Sequence, residues 1–195
     1  MSKRVILVTG TPCVGKTSVA NLLTRKLDGL YINLTELAMR EKLISGKDEE
    51  RNSLIVDETG IRKKVSEIIG KCDKNYIIVD GHYAASAVPK ELVTYVFVLR
   101  RDPVELRKFM QGCGFSNRKL SENLASEILD VCLVDALNVH GEGKICELNA
   151  TGKRAEEIAD EILEIMSNPS RCCVGIVDWL GKLESEGLLD EFLKI

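Results

Sequence analysis

At 195 residues, with 45% hydrophobic content and a formal net charge of −3, the chain suits one α/β domain with a packed core and a small appendage. Acidic and basic residues are interspersed, so no bulk field draws it to nucleic acid or to an anionic membrane. No apolar stretch approaches about 18 residues and the first strand begins within four residues of the start, so neither a membrane span nor a signal peptide is expected, and the expected location is cytoplasmic, or nuclear in a eukaryotic cell. Seven cysteines, at 13, 72, 113, 132, 146, 172 and 173, lack a CxxC pair or a histidine at metal-ligand spacing, which predicts reduced structural thiols. A bridge between the neighbours Cys172 and Cys173 would be strained.

The first apolar run, RVILVT at 4–9, reads as a buried strand. It leads directly into GTPCVGKT at 10–17, which fits the phosphate-binding pattern GxxxxGK[ST]. The following KTSVANLLTRKL sets Val19, Ala20, Leu23 and Leu27 on one helical face, so strand, loop and helix stand in the required order. Glycines let backbone N–H groups turn inward around phosphate oxygens, and the helix N-terminus adds partial positive charge. Lys16 then reaches the β- and γ-phosphates and the Thr17 hydroxyl a magnesium ion. Cys13 stands where such loops commonly carry a third glycine. A positive φ there carries strain of about 1 kcal/mol, or the loop is slightly altered. A low-pKa nucleophile is the alternative for Cys13, with no histidine nearby in sequence to serve as its base.

Short strands follow at YIN (31–33), NYIIVD (75–80), TYVFVLR (94–100) and KICEL (144–148). Their alternation with helical patterns predicts a parallel sheet, whose ligands bind at the carboxyl ends of the strands. Gly10, Asp80, Arg100 and Asn149 occupy those ends. Paired with a phosphate-binding loop, Asp80 reads as the carboxylate beside magnesium and its waters. His82 reads either as a phosphate partner or water-orienting group, or as a structural histidine. A helix is expected from about Ser121 to Val139, apolar almost all round after Ile128, with His140 at its end. Thr151 is expected to cap the helix carrying the stripe Ala155, Ile158, Ala159, Ile162 and Leu163. Past Pro169, two short helices dock on the core, or present a partner surface anchored by Trp179.

Taken together, GTPCVGKT, YINLTELA, DEERNSLIVDE, IIVDGH, YVFVLR and GFSNRKLSENLASEI resemble adenylate kinase isoenzyme 6 and its archaeal relatives from Lys3 to about Met166. The resemblance implies a doubly wound parallel α/β sheet of the nucleoside monophosphate kinase type over 1–168 and a helical tail over 169–195. It also implies an NMP-binding segment at about 33–56 and a short lid at about 112–122. The implied activity is phosphoryl transfer from Mg-ATP to AMP or another monophosphate, with ATPase activity and a link to late small-ribosomal-subunit maturation through a small-subunit protein. An ATPase-driven assembly factor with incidental kinase activity is the alternative. No membrane and no strong direct nucleic-acid contact is implied.

By the same resemblance Lys16, Asp80 and His82 are catalytic, and Thr17 and Asp80 serve magnesium. ATP meets Gly10, Cys13, Val14, Gly15, Lys16, Thr17 and Ser18, with Phe109, Cys113 and Lys153 beside it. Asn33, Arg40 and Asp57 serve the acceptor, and Arg118 and Lys119 the lid. The loop Asn149 to Lys153 is implied to pack beside adenine. The acidic residues Asp48, Glu49, Glu50, Asp57 and Glu58 either bond the acceptor or cap the next helix, with Asp57 the better cap. Phe109 and Cys113 replace arginines usual in relatives. Arg107, Arg118 or Lys119 are the candidates to restore the charge, and Arg40 and Lys42 flank Met39, where some relatives are basic.

Overall fold

A computed structural model describes residues 3–48 and 53–193. Strands β1 (Arg4–Thr9), β2 (Leu30–Asn33), β5 (Tyr76–Asp80), β6 (Val93–Arg100) and β7 (Ile145–Asn149) form one sheet in the order β2-β5-β1-β6-β7, parallel at every pairing. Side chains alternate across the central strand, so β1 feeds two cores. Ile6 and Val8 pack with Val19 and Leu23 of α1 (Lys16–Lys26) and with Ile158 and Ile162 of α8 (Ala155–Ser167). Val5 and Leu7 face the other way, toward α2 (Leu34–Arg40), α3 (Glu58–Lys71) and α4 (Ala84–Ala87). The doubly wound parallel α/β architecture expected from the alternating runs is the one observed.

Register places the carboxyl ends together: Val8 pairs with Asp80, Asn33 with the same Asp80, and Arg100 with Asn149. At the exit of β1 only glycine fits, because a Cβ on Gly10 would lie 2.4 Å from the Leu99 carbonyl oxygen and its φ is +137°.

Two strands not anticipated from the sequence, β3 (Ile44–Asp48) and β4 (Ser53–Val56), form a separate antiparallel hairpin within the expected acceptor segment. Their alternation is too short and too polar to stand out. Asp48 ends β3, whereas Glu49 and Glu50 lie outside the described residues. Asp57 caps α3, its carboxylate accepting the Gly60 N–H at 3.0 Å.

Three expectations are corrected. The helix expected from 121 to 139 is two, α6 (Asn117–Ile128) and α7 (Val131–His140). Asp130 breaks it with φ 58°, and that break lets the Arg100 guanidinium reach the Glu127 carbonyl at 2.8 Å and the Asp130 carboxylate. Thr151 does not cap α8; its hydroxyl accepts the Asp102 N–H at 2.9 Å, while the Glu157 carboxylate takes the Arg154 N–H at the helix start. The thiols are not all reduced, since Cys146 and Cys172 form a disulfide. The chain leaving α8 runs back beside β7, where the Glu147 N–H donates to the Cys173 carbonyl at 2.8 Å, and this brings Cys172 opposite Cys146.

The tail docks. Helices α9 (Trp179–Ser185) and α10 (Leu189–Phe192) bury Leu183 and Phe192 in the same core as Ile6, and Trp179 is only 7% exposed. Trp179 is therefore not the anchor of an open partner surface. Lys182 pairs with Asp102, and Arg107 with Glu191. Trp179→Ala should cost about 3 kcal/mol, read as a fall in melting temperature of roughly 6–12 °C for a chain of this size; an unchanged melting curve would show that the tail contributes no packing.

Candidate functional site

The phosphate-binding loop turns through left-handed conformations at Cys13 (φ 67°) and Gly15 (φ 107°). Cys13 thus adopts the positive φ that its side chain disfavours. Burial pushes the pKa of its thiol up to about 12, helped by the neighbouring Cys113 thiol, which disfavours the thiolate a nucleophile needs. Beyond the loop Lys16 starts α1 and is 9% exposed. Its Nζ donates to the Thr11 carbonyl at 2.8 Å. Burial lowers the Lys16 pKa while the charge of Asp80 opposes that shift. An ammonium held by a loop carbonyl in a dry site is a cation positioned for an incoming anion.

Opposite the loop, the Asp80 carboxylate is 2% exposed and accepts three side-chain hydrogen bonds at Oδ2. Thr17 Oγ1 donates at 2.7 Å, Tyr31 OH at 3.0 Å and Asn33 Nδ2 at 3.2 Å. A hydroxyl and a carboxylate joined in this way are hard oxygen donors of the kind magnesium prefers, with phosphate and water oxygens completing its shell. Among the described residues no group of three or more His, Cys, Asp or Glu is placed to hold a metal. Asn33 also caps α2, accepting the Glu36 N–H at 3.0 Å, so it sits beside Asp80.

A cleft of about 1310 Å³ opens beside the loop. Its wall runs from Pro12 and His82 past Ala38, Ile44 and Val56 to Phe115, Arg118 and Lys119. The hairpin, the α2 helix and the first turns of α6 thus face one another across it. His82 stays exposed at the edge of this cleft. The protein crowded around the ring, and then the charge of Lys16, lower its pKa to about 4. Arg118 pairs with Glu122 at 2.8 Å, and Lys119 lies 4.9 Å over the Phe115 ring. Arg40 stands apart, exposed and paired with Glu41 at 3.3 Å.

Near α5 (Pro103–Gly112) the structure supplies a cation that the sequence reading missed. Arg101 is buried at the end of β6. Its Nε donates to the Val14 carbonyl at 3.3 Å and its guanidinium lies 4.9 Å over the Phe109 ring. Arg107 is occupied elsewhere, against Glu191 and the Phe192 ring, so it does not restore the charge missing at Phe109 and Cys113. Phe109 is 47% exposed and Cys113 is exposed too. Arg101 pairs with Glu105, whose Oε2 accepts the Gly152 N–H at 3.0 Å, while Lys153 turns to Glu161 at 2.7 Å. Thr11 and Glu127 are the other residues the sequence reading passed over. A second charged residue after Arg100, and a lone glutamate on the apolar side of α6, were the available signals.

A family model described as AAA domain matches residues 6–130. A protein of Methanocaldococcus jannaschii named "Putative adenylate kinase" is 35% identical over 91% of this chain and 93% of its own length. One of the same name from Methanococcus maripaludis is 36% identical over 90% and 95%. Among solved structures, the thymidylate kinase of Candida albicans matches with a TM-score of 0.57 at 15% identity, covering 87% of this chain and 93% of that one. Shikimate kinase from Acinetobacter baumannii matches with 0.60 at 14%, covering 86% and 94%. These structures share the fold.

The chain has two histidines, and burial lowers the pKa of His140 as well. In an NMR titration of the ring resonances, both should be neutral at pH 7, with the His82 midpoint near about 4 instead of the usual value of about 6.5. A His82 midpoint above pH 6 would contradict the crowding described around its ring.

Proposed function

The chain belongs to the family of the archaeal adenylate kinase relatives that it matches over nine tenths of its length, and on that premise we propose that it transfers the terminal phosphoryl group of Mg-ATP to AMP or a related nucleoside monophosphate. The observation that carries this reading is the meeting of Lys16, Thr17 and Asp80 next to Pro12 and His82, which line a cleft large enough for a second nucleotide. On this reading Lys16 leaves the Thr11 carbonyl for the β- and γ-phosphates, and the loop N–H groups take their oxygens. Thr17 and Asp80 would hold magnesium, which would supply charge neutralisation on the phosphates. Arg118 and Lys119 approach the acceptor from the lid side, and Asn33 keeps Asp80 in place. An acceptor phosphate oxygen bonds to the γ-phosphorus as the bond to the ADP oxygen breaks, giving two ADP.

A second reading has its own support: His82 is a neutral imidazole at the cleft edge, able to accept a proton from a water molecule there. Hydrolysis of ATP would accompany transfer, as the resemblance to adenylate kinase isoenzyme 6 implies, in a cytoplasmic protein that acts in small-subunit maturation through a ribosomal protein. Co-sedimentation with small subunits that depends on nucleotide supports this role; its absence removes it.

Purified protein incubated with Mg-ATP, with and without AMP, should yield two ADP per ATP only when AMP is present, with little free phosphate. Phosphate release indifferent to AMP would establish hydrolysis as the activity. Lys16→Met should lower turnover at least about a hundredfold, the loss typical of one such electrostatic contact, with an unchanged melting temperature, since methionine fills the same buried volume.

A further inference from the structure

Glu127 lies on the last turn of α6 and is 1% exposed, and it is not among the residues of that helix that line the cleft. Its carboxylate is divided between two tasks. Oε2 accepts the hydroxyl of Thr11, the second residue of the phosphate-binding loop. Oε1 accepts Arg100 Nε at 3.0 Å, the Arg101 backbone N–H at 3.0 Å, and the indole N–H of Trp179 at 3.1 Å. Thr11 in turn holds Lys16 Nζ on its carbonyl oxygen. An unbroken series of hydrogen bonds therefore runs from the C-terminal tail to the ammonium of the loop: Trp179, Glu127, Thr11, Lys16.

Two further contacts bind the tail to the same edge of the sheet. Lys182 pairs with Asp102, just after β6, and the Ile176 N–H donates to Glu147 Oε2 of β7 at 2.8 Å. Every member of the series except Lys16 could in principle serve stability alone. The arrangement is more specific than stability requires, because a docked indole needs any acceptor, whereas this one shares its acceptor with the loop. In a water-poor interior such a shared carboxylate is polarised by all its donors at once, and losing one lets the others move.

We propose that Glu127 is a positioning residue of the nucleotide site and that the tail, through Trp179, completes the hold on Thr11. This rests on the nucleotide-binding reading above. The tail is then part of the machinery that sets the loop, and a shift of about 1 Å in such a loop is enough to cost a large factor in rate.

The test uses the full chain, Mg-ATP and AMP. Trp179→Phe keeps a ring in the pocket and removes only the N–H. Thr11→Val removes the hydroxyl at the other end. Ile69→Ala removes core packing at the far end of α3, in the other core and away from both the tail and the loop, as a measure of stability alone. Calorimetric affinity for Mg-ATP, kcat/KM and melting temperature are measured for each and for the Trp179→Phe, Thr11→Val double variant. Trp179→Phe and Thr11→Val are each expected to lower kcat/KM about fivefold, the double variant no further than the worse single, and Ile69→Ala to lower only the melting temperature. Losses that multiply in the double variant, no loss in Trp179→Phe, or an equal loss in Ile69→Ala would overturn the inference while leaving the kinase reading intact. Failure of the unaltered protein to bind Mg-ATP would sink the kinase reading itself, and this inference with it.

Discussion

Arg100 leaves β6 into a place closed to water on every side, and a buried guanidinium persists only where carboxylates meet it. Glu127, Glu147 and Asp130 do so. Glu127 and Asp130 come from the end of α6 and the turn after it, and Glu147 from β7, so their convergence ties that turn to the edge strand of the sheet. Removing any one of these acids would leave guanidinium N–H groups of Arg100 without their partner at the carboxyl edge of the sheet, where the phosphate-binding loop also begins.

That edge carries opposed electrostatics within a short span. The loop side offers Lys16 and a set of inward N–H groups; the β5 side offers the Asp80 carboxylate with three donors around it. Between them lies room for an anion and a cation together. Burial lowers the pKa of Lys16, while His82, exposed at the cleft edge, is lowered by the protein crowded around its ring and then by the Lys16 charge.

The region toward α5 departs from the pattern suggested by the resemblance. Cations are drawn from a strand end, through Arg101 over Phe109, in place of the helix positions held by Phe109 and Cys113. Arg107, the nearest candidate in sequence, serves to fasten α10. Proximity along the chain was a poor guide here because α5 turns successive side chains about 100° apart, sending residue 107 toward the tail while residue 109 stays beside the loop.

Much of this protein was legible from residue order alone. Buried parallel strands announce themselves as short apolar runs, and the loop GTPCVGKT has its glycines, lysine and threonine at fixed offsets because local backbone geometry requires them. Those are properties of neighbours in the chain, so β1, α1, the four other sheet strands and the placement of Lys16 and Thr17 at the start of α1 and of Asp80 at the end of β5 all followed. The β3–β4 hairpin, the break at Asp130, the Cys146–Cys172 disulfide, the Arg101–Phe109 stack and the Glu127 hub did not. The hairpin is a local pairing hidden by its short, polar strands, whereas the others depend on groups 8 to 116 positions apart, from the pair 101 with 109 to the pair 11 with 127, meeting in space. Only tertiary structure decides such meetings, because burial turns a distant charge, thiol or indole N–H into a necessary partner, and nothing in the local sequence records which distant group will be there.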